Sequence, residues 1–117
     1  MQKILLKSKI HRVKITDANL GYEGSISIDE ELMEKAGIVS YEKVAIWDVN
    51  NGARFETYAI PAPRKSGDII VNGAASRLVQ IGDIIIIGTF GIYDEKELTG
   101  FKPVLVYVDE KNHALSS

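Results

Sequence analysis

Residues 43–60 read KVAIWDVNNGARFETYAI, and this stretch predicts a β-hairpin. The flanking segments, 43–49 and 53–60, are rich in the β-branched and aromatic side chains that favour strands. Between them, Asn50, Asn51 and Gly52 form a strong hairpin signal, because Asn and Gly tolerate the positive φ angles of tight turns. We therefore expect two antiparallel strands joined by this turn.

The same pattern continues on both sides of the hairpin. Residues 8–16 (SKIHRVKIT) alternate in type, which predicts a strand with Lys9, His11 and Val13 on one face and Ile10 on the other. Two prolines within 61–67 argue against a central strand there. Further short strands are predicted over 25–28, 69–71, 84–90 and 103–108.

Helical signals are few. Asp29 suits a helix N-cap and Gly37 a C-terminal exit, so a short helix is predicted over 30–36. The last residues, from about Asn112 to Ser117, are expected to fray. Six or seven strands with one or two short helices predict a mainly β chain, and a small closed barrel would hide the edges of so many strands.

Composition excludes several classes of function. The chain has 117 residues, 45% of them apolar, which predicts one domain over residues 1–117. The absence of cysteine excludes disulfides, thiolate catalysis and cysteine-based zinc sites. A net charge of −2 without a basic run argues against nucleic-acid binding. Without an apolar run of signal-peptide or membrane-spanning length, we expect a cytoplasmic protein with no membrane partner.

One dipeptide offers chemistry in a chain without a cofactor motif. The hydroxyl of Ser25 can attack the carbonyl of Gly24, and the resulting ester can eliminate and hydrolyse to leave a pyruvoyl group. Glycine helps because it has no side chain to block the attack and tolerates a strained backbone. A Gly-Ser pair is also a common loop dipeptide, so the pair alone indicates no more than a turn.

Three long strings around this dipeptide resemble the bacterial aspartate 1-decarboxylases. They are KIHRVKITDANLGYEGSISID at 9–29, WDVNNGARFETYAI at 47–60 and VNGAASRLVQIGDIIII at 71–87. They follow the order and spacing of that family and cover most of residues 7–90, whereas the part after about Gly91 is less distinctive.

The resemblance implies a double-ψ β-barrel that assembles as a homotetramer, with active sites between neighbouring subunits. It implies self-cleavage into residues 1–24 and 25–117, with Ser25 becoming a covalent pyruvoyl group that forms a Schiff base with L-aspartate. The reaction yields β-alanine and CO₂ for pantothenate and coenzyme A synthesis. No metal and no soluble cofactor such as pyridoxal phosphate is expected, and the need for a maturation factor stays open.

The resemblance also assigns the chief site residues. Tyr58 falls at the position of the proton donor, while Arg54 and Lys9 act on the substrate's carboxylates, which suits the bidentate grip of a guanidinium. Arg54 and Tyr58 are four residues apart on a strand, so both would face the same space. The plainer alternatives are that Arg54 and Lys9 are solvated surface cations and that Tyr58 is a half-buried tyrosine of the hairpin.

The remaining assignments concern binding and support. Thr57 is implied near the substrate although alternation puts it on the face opposite Tyr58, so a bulge, strand twist, its backbone or a neighbouring subunit would have to bring it there. The run Asn72, Gly73, Ala74 and Ala75 offers an amide and backbone N–H groups for an anion, or forms a simple β-turn. His11, Tyr22 and Trp47 are expected to support the site with Gly24, and Trp47 could equally be a core aromatic.

Three other functions compete with this hypothesis. A swapped-hairpin DNA-binding module would explain a small β-rich oligomer, but it would need a basic face. A pyruvoyl enzyme with a different amino-acid substrate is the second, since one methylene is worth only about 1–3 kcal/mol in a pocket. The third is an unprocessed zymogen that is inactive until a partner triggers cleavage.

Overall fold

The computed structural model describes residues 1–21 and 24–115, and within them the chain is built mainly from strands. One α-helix, α1 (Glu30–Ala36), and two short 3₁₀ helices, Gly73–Leu78 and Glu95–Glu97, lie among the strands. The mainly β architecture predicted from sequence is therefore confirmed. The strands are β1 (Gln2–Lys14), β2 (Asp17–Asn19), β3 (Ser25–Asp29), β4 (Lys43–Asp48), β5 (Arg54–Ala62), β6 (Ile69–Asn72), β7 (Ile84–Asp94) and β8 (Val104–Tyr107).

The strands form one mixed sheet with the order β2-β6-β3-β5-β4-β7-β1-β8. Three neighbouring pairs are parallel, namely β1 with β8, β2 with β6 and β3 with β5, and the other pairs are antiparallel. Buried aliphatic side chains from almost every strand pack into a single core. The fully buried isoleucines of this core are Ile10, Ile15, Ile26, Ile28, Ile46, Ile69, Ile85 and Ile87.

The predicted helix over 30–36 is confirmed, and its N-cap ties it to a distant loop. Asp29 Oδ1 accepts hydrogen bonds from the backbone N–H of Glu31 and Lys65, each at 2.9 Å. Asp29 Oδ2 accepts a third from Gly67, also at 2.9 Å. This buried carboxylate therefore fixes the start of α1 and the loop before β6 together.

The simple alternation predicted for residues 8–16 is wrong. A register shift in the pairing of β1 with β7 falls between Ile10 and Val13, and Arg12 has a φ of 60°. This irregularity inserts one extra residue, so Ile10 and Val13, which alternation puts on opposite faces, are both fully buried in the core.

Several strands are longer than predicted. β1 begins at Gln2 and β7 continues to Asp94, where the two strands pair with each other beyond the rest of the sheet. β5 runs through Pro61 to Ala62. The pairing of β5 with β4 ends at Tyr58, so the described partner of Pro61 is β3. The N–H that proline lacks therefore interrupts no pairing with β4.

The C-terminal segment is ordered as far as the structure describes it, which corrects the expected fraying from Asn112. The Asn112 side chain is 2% exposed and makes hydrogen bonds to both backbone groups of Lys14, at 2.8 and 2.7 Å. It also donates to the carbonyl of Gly67 at 2.9 Å. Val108 and Ala114 form an isolated bridge after β8.

Candidate active site

A cavity of about 660 Å³ lies beside the start of β3. Three residues singled out from the sequence, Ser25, Tyr58 and Asn72, line it together. They come from β3, β5 and β6, which are neighbours in the sheet. The other lining residues are Asp17, Asn19, Ser27, Tyr41, Ile60 and Ile70.

Ser25 is held in place by an amide. Its side chain is 4% exposed, and Asn72 Nδ2 donates a hydrogen bond to Ser25 Oγ at 2.9 Å. The same amide nitrogen donates to Ser27 Oγ at 3.1 Å. Ser25 and Asn72 also lie directly opposite each other in the antiparallel pair of β3 and β6. The hydroxyl therefore has a fixed position on the cavity wall.

Gly24 precedes this serine without crowding. A Cβ built on Gly24 would meet no atom of the described residues within 4 Å, its two chain neighbours aside. Tyr22, predicted to support the site, lies outside the described residues, and its role stays a prediction.

The run after Asn72 forms a 3₁₀ helix instead of a simple β-turn. Gly73 has a φ of 73°, which favours glycine, and the helix extends to Leu78. Ser76 Oγ donates to the Gly73 carbonyl at 2.7 Å. Because the first N–H groups of a helix lack partners within it, those of Gly73, Ala74 and Ala75 are suited to bind an anion. The carbonyl of Leu78 accepts from Asn51 Nδ2 at 2.9 Å, which fastens the helix to the β4–β5 turn.

Tyr58 lies close to a second tyrosine of the cavity lining. Its ring centroid lies 6.2 Å from that of Tyr41, which also lines the cavity. Tyr41 has a φ of 72° and its N–H donates to the Ala59 carbonyl at 2.7 Å. Sequence reasoning missed Tyr41, since only the folded 39–42 turn brings it there. It also missed Ser27, which alternation two residues after Ser25 could have indicated.

Arg54 does not share the cavity of Tyr58, contrary to the expectation from their spacing. Arg54 lines a separate depression of about 300 Å³ with Trp47 and Phe90. Its guanidinium carbon lies 5.1 Å from the Trp47 ring centroid, and Phe90 meets that ring edge-on at 6.4 Å. Stacking on Trp47 holds the Arg54 side chain in this separate depression.

Lys9 belongs to the same face as Trp47. It lies opposite Gly88 in the pairing of β1 with β7. A Cβ built on Gly88 would lie 2.6 Å from Trp47 Cη2, so the missing side chain at Gly88 makes room for the indole. Because directly opposed residues project to one side of a sheet, Lys9 projects to the side of Trp47 and Arg54.

His11 packs edge-on against Tyr107, with ring centroids 5.6 Å apart. Its Nδ1 is buried and has no hydrogen-bond partner among the described residues. Burial lowers the pKa of His11 below its usual value, and the charges of Lys9 and Arg12 lower this pKa further. The imidazole therefore favours its neutral form.

Thr57 lies opposite Val44 and does not line the cavity of Ser25. The pairing of β4 with β5 runs without interruption from Tyr58 to Arg54, so a bulge does not redirect this side chain. That explanation for Thr57 is wrong. Strand twist, the backbone of Thr57 and a neighbouring subunit remain as routes to the substrate.

Residues 1–21 and 24–115 lack two further features. No group of three or more His, Asp or Glu side chains is arranged to hold a metal ion there. No helix in these ranges combines the length and apolar character that crossing a membrane requires.

A solved structure and two relatives resemble this chain. The crystal structure of the rationally designed protein mkDPBB_sym_86 aligns with a TM-score of 0.50 at 16% identity, covering 66% of this chain and 90% of the design. The likeness confirms the double-ψ β-barrel fold. The aspartate 1-decarboxylase of Syntrophus aciditrophicus is 59% identical, with 96% of this chain and 97% of the relative covered. That of Thermoanaerobacter pseudethanolicus is 56% identical over 96% of both chains.

The family model described as aspartate decarboxylase matches residues 1–115. That match spans both the cavity around Ser25 and the face around Trp47. The chain therefore belongs to the aspartate decarboxylase family.

Proposed function

We propose that this chain cuts itself between Gly24 and Ser25 and then decarboxylates L-aspartate to β-alanine and CO₂. Decarboxylation of aspartate follows from the family, and one observation carries the self-cleavage. The hydroxyl of Ser25, held by the Asn72 amide at 2.9 Å, lies on a cavity wall directly after a glycine, which has no side chain to block the attack.

Self-cleavage uses only groups of the chain and water. Ser25 Oγ adds to the Gly24 carbonyl carbon, and the C–N bond breaks to give an ester and a free amine. Loss of the Ser25 α-proton then breaks the ester C–O bond, releasing the Gly24 carboxylate and leaving dehydroalanine. Water replaces the nitrogen of dehydroalanine, ammonia leaves, and a ketone remains at position 25.

The residues around position 25 fit a pyruvoyl group. The side chain there is almost fully buried yet borders the cavity, and Asn72 Nδ2 offers a hydrogen bond to an oxygen in that place. Bound in this way, the group supplies the carbonyl that takes the substrate amine and the conjugation that accepts electrons as CO₂ departs.

Tyr58 is proposed as the proton donor. It lines the same cavity as Ser25, and a phenolic hydroxyl can donate a proton. Delivery of that proton to the substrate's α-carbon completes the replacement of CO₂ by hydrogen. General acids in this role commonly contribute about 10²- to 10⁴-fold to the rate.

Binding aspartate requires cations that the cavity of a single chain does not supply. The described lining of the cavity contains no Lys, Arg or His. Lys9 and Arg54 instead lie on the side of the sheet that carries Trp47, which we call the Trp47 face. We propose a homotetramer in which the Trp47 face of one copy covers the Ser25 cavity of another. The two carboxylates of aspartate would then meet Arg54 and Lys9.

The other assignments from sequence belong to the same proposal. The N–H groups of Gly73, Ala74 and Ala75 bind substrate oxygen, Thr57 acts from its backbone or across the subunit boundary, and His11 and Tyr22 support the site. We also keep the proposal of a cytoplasmic enzyme of pantothenate and coenzyme A synthesis. The need for a maturation factor is an open part of it.

Intact-mass analysis combined with CO₂ release tests the function. Wild-type protein should give two fragments split after Gly24, with no free amine on the larger one, and should release CO₂ from L-aspartate. Ser25→Ala should remain uncut and inactive. Ser27→Ala is the matched control, because it removes the other hydroxyl bound to Asn72, and it should still be cut. A folded wild-type chain that stays whole and keeps an ordinary serine would contradict the proposal.

A further inference from the structure

Tyr41 is held at the cavity in a backbone conformation that a tyrosine rarely adopts. Its φ of 72° lies in the left-handed region, where a Cβ crowds the carbonyl oxygen and which glycine occupies freely. The residue is 76% exposed, so burial within the chain does not offset this strain. Strained residues persist only where surrounding contacts fix them, and they cluster at functional sites. The strain at Tyr41 therefore points to a use for its ring.

The ring of Tyr41 lies beside that of Tyr58. Both tyrosines line the Ser25 cavity, and their ring planes, 6.2 Å apart at the centroids, are inclined by 37°. Aromatic pairs attract each other at separations of about 4.5–7 Å. The Tyr41 N–H donates to the Ala59 carbonyl at 2.7 Å, and the Ala59 N–H donates to the Glu42 carbonyl at 2.9 Å. The turn is thus tied to the residue that follows Tyr58, and the Tyr41 ring restricts the movement of the Tyr58 ring.

The side chain of Glu42 closes the turn that carries Tyr41. Glu42 Oε1 accepts from the Val39 N–H at 3.0 Å, and the Glu42 N–H donates to the Val39 carbonyl at 3.1 Å. Glu42 Oε2 accepts from Lys7 Nζ, which also donates to the Gly37 carbonyl at 3.0 Å. One carboxylate therefore holds both ends of the 39–42 turn and links the turn to β1.

Lys7 reaches this turn from an irregular point of β1. The register of β1 with β7 shifts between Leu6 and Ser8, which leaves Lys7 without a partner in β7. Such irregularities redirect side chains. The side chains of Lys7 and Glu42 are 30% and 19% exposed, which makes theirs the least exposed ion pair among the described residues. Because a partly buried pair is screened less than a surface pair, Lys7 is suited to anchor the turn.

We propose that Tyr41 is a positioning residue for Tyr58. Its ring, held at the cavity by the Lys7–Glu42 pair, keeps the Tyr58 phenol in the orientation that delivers the proton. The role belongs to the ring and not to the hydroxyl of Tyr41, because the contact with Tyr58 is between rings. This inference rests on the proposed function, in which Tyr58 is the proton donor.

A comparison of Tyr41→Gly with Tyr41→Phe tests the role of the ring. Glycine adopts a φ of 72° without strain, so Tyr41→Gly should resist urea at least as well as wild type. Its kcat for L-aspartate should nevertheless fall about tenfold, as part of the contribution of a general acid is lost. KM should change less, because the proton is delivered after the substrate binds. Tyr41→Phe keeps the ring and should retain most of the kcat.

A double variant separates positioning from general damage. Adding Tyr41→Gly to Tyr58→Phe should lower kcat no further, because the ring acts through a hydroxyl that is already absent. Independent effects of the two changes would overturn the proposal. So would a full kcat in Tyr41→Gly, an equal loss in Tyr41→Phe, or loss of subunit assembly by Tyr41→Gly in native mass spectrometry. Wild type that releases no CO₂, or Tyr58→Phe with normal turnover, would instead reject the proposed function.

Amide hydrogen exchange tests the anchor without relying on activity. Lys7→Met keeps the contacts of Glu42 within the turn but removes the ion pair. Exchange of the Tyr41 and Ala59 amides should then accelerate about tenfold, the scale of one hydrogen bond to a charged group. Glu34→Ala is the control, because it removes an exposed ion pair with Arg64, at 2.6 Å, and should leave both amides unchanged. Unchanged exchange in Lys7→Met would overturn the anchoring role of the pair.

Discussion

Asn72 Nδ2 lies 2.9 Å from Ser25 Oγ, and the two residues are opposite each other in the pairing of β3 with β6. The amide can thus orient the hydroxyl, and its N–H can stay hydrogen-bonded to this oxygen while the bonds at position 25 rearrange. A preorganised donor of this kind is commonly worth about 10²- to 10³-fold in rate.

Asn72→Asp should slow self-cleavage by about 100-fold, because a carboxylate has nearly the same shape but cannot donate. Asn72→Ala should slow it similarly. Time-resolved intact-mass analysis gives the rate, and Asn51→Asp serves as a control outside the cavity. Unchanged cleavage in Asn72→Asp would show that the donor has no part in the scission.

Tyr58→Phe should be cut normally but turn over L-aspartate about 10²- to 10⁴-fold more slowly, because it lacks the proton. Tyr41→Phe is a closely matched control, since its ring lies 6.2 Å away in the same cavity. It should retain most activity. Normal CO₂ release from fully cleaved Tyr58→Phe would remove this tyrosine from the mechanism.

Arg54→Ala and Ser25→Ala should each be inactive alone and regain activity when co-expressed. Arg54 and Ser25 line separate depressions of one chain, so mixed assemblies can combine an intact cavity with an intact Trp47 face. Native mass spectrometry verifies the mixing, and co-expression of Ser25→Ala with Tyr58→Phe is the control, because both residues line one cavity. If mixed assemblies of Arg54→Ala and Ser25→Ala form but remain inactive, a site shared between subunits is contradicted.

Gly67→Ala should destabilise the fold more than Gly52→Ala. Both glycines have positive φ, at 72° and 78°, which costs about 1–2 kcal/mol for alanine. Only at Gly67 would the new Cβ meet a described backbone atom, the Lys111 carbonyl oxygen, so overpacking adds about 1–3 kcal/mol. Urea unfolding measures the free energy of unfolding of each variant. Equal losses in the two variants would mean that the C-terminal segment around Lys111 moves aside without an energetic cost.

Acid should weaken the fold through His11. Its folded-state pKa is lowered, so below the ordinary value of 6.5 the unfolded chain takes up a proton that the folded chain resists. Stability is therefore retained above pH 6.5 and lost as pH falls through the lowered pKa. His11→Gln should flatten this part of the pH dependence in urea unfolding, whereas His113→Gln should leave it. Parallel curves for wild type and His11→Gln would refute the assignment.

Rules based on neighbouring residues predicted the strands and the helix well. They did not predict where distant segments of the chain contact each other. Asp29 and Gly37 bounded α1 because caps are local, and the hairpin at 50–52 followed from its turn residues. The bulge near Arg12 and the burial of Asn112 depend on contacts with distant segments.

The same limit applies to the site. The resemblance named Ser25, Tyr58 and Asn72, and the fold brings them to one cavity. Spacing along β5 misplaced Arg54, because stacking on Trp47 is a tertiary contact that alternation cannot represent. Tyr41 had no sequence signal, since a turn and not a strand delivers it.

Strand β1 pairs with β7 on one side and with β8 on the other, and the Asn112 side chain forms hydrogen bonds with its backbone at Lys14. Breakage of the backbone after Gly24 would thus sever a covalent connection without freeing the shorter piece, whose Ile10 and Val13 are interior residues. The two products of maturation would melt as one cooperative unit, and neither would be expected to persist as a folded species by itself.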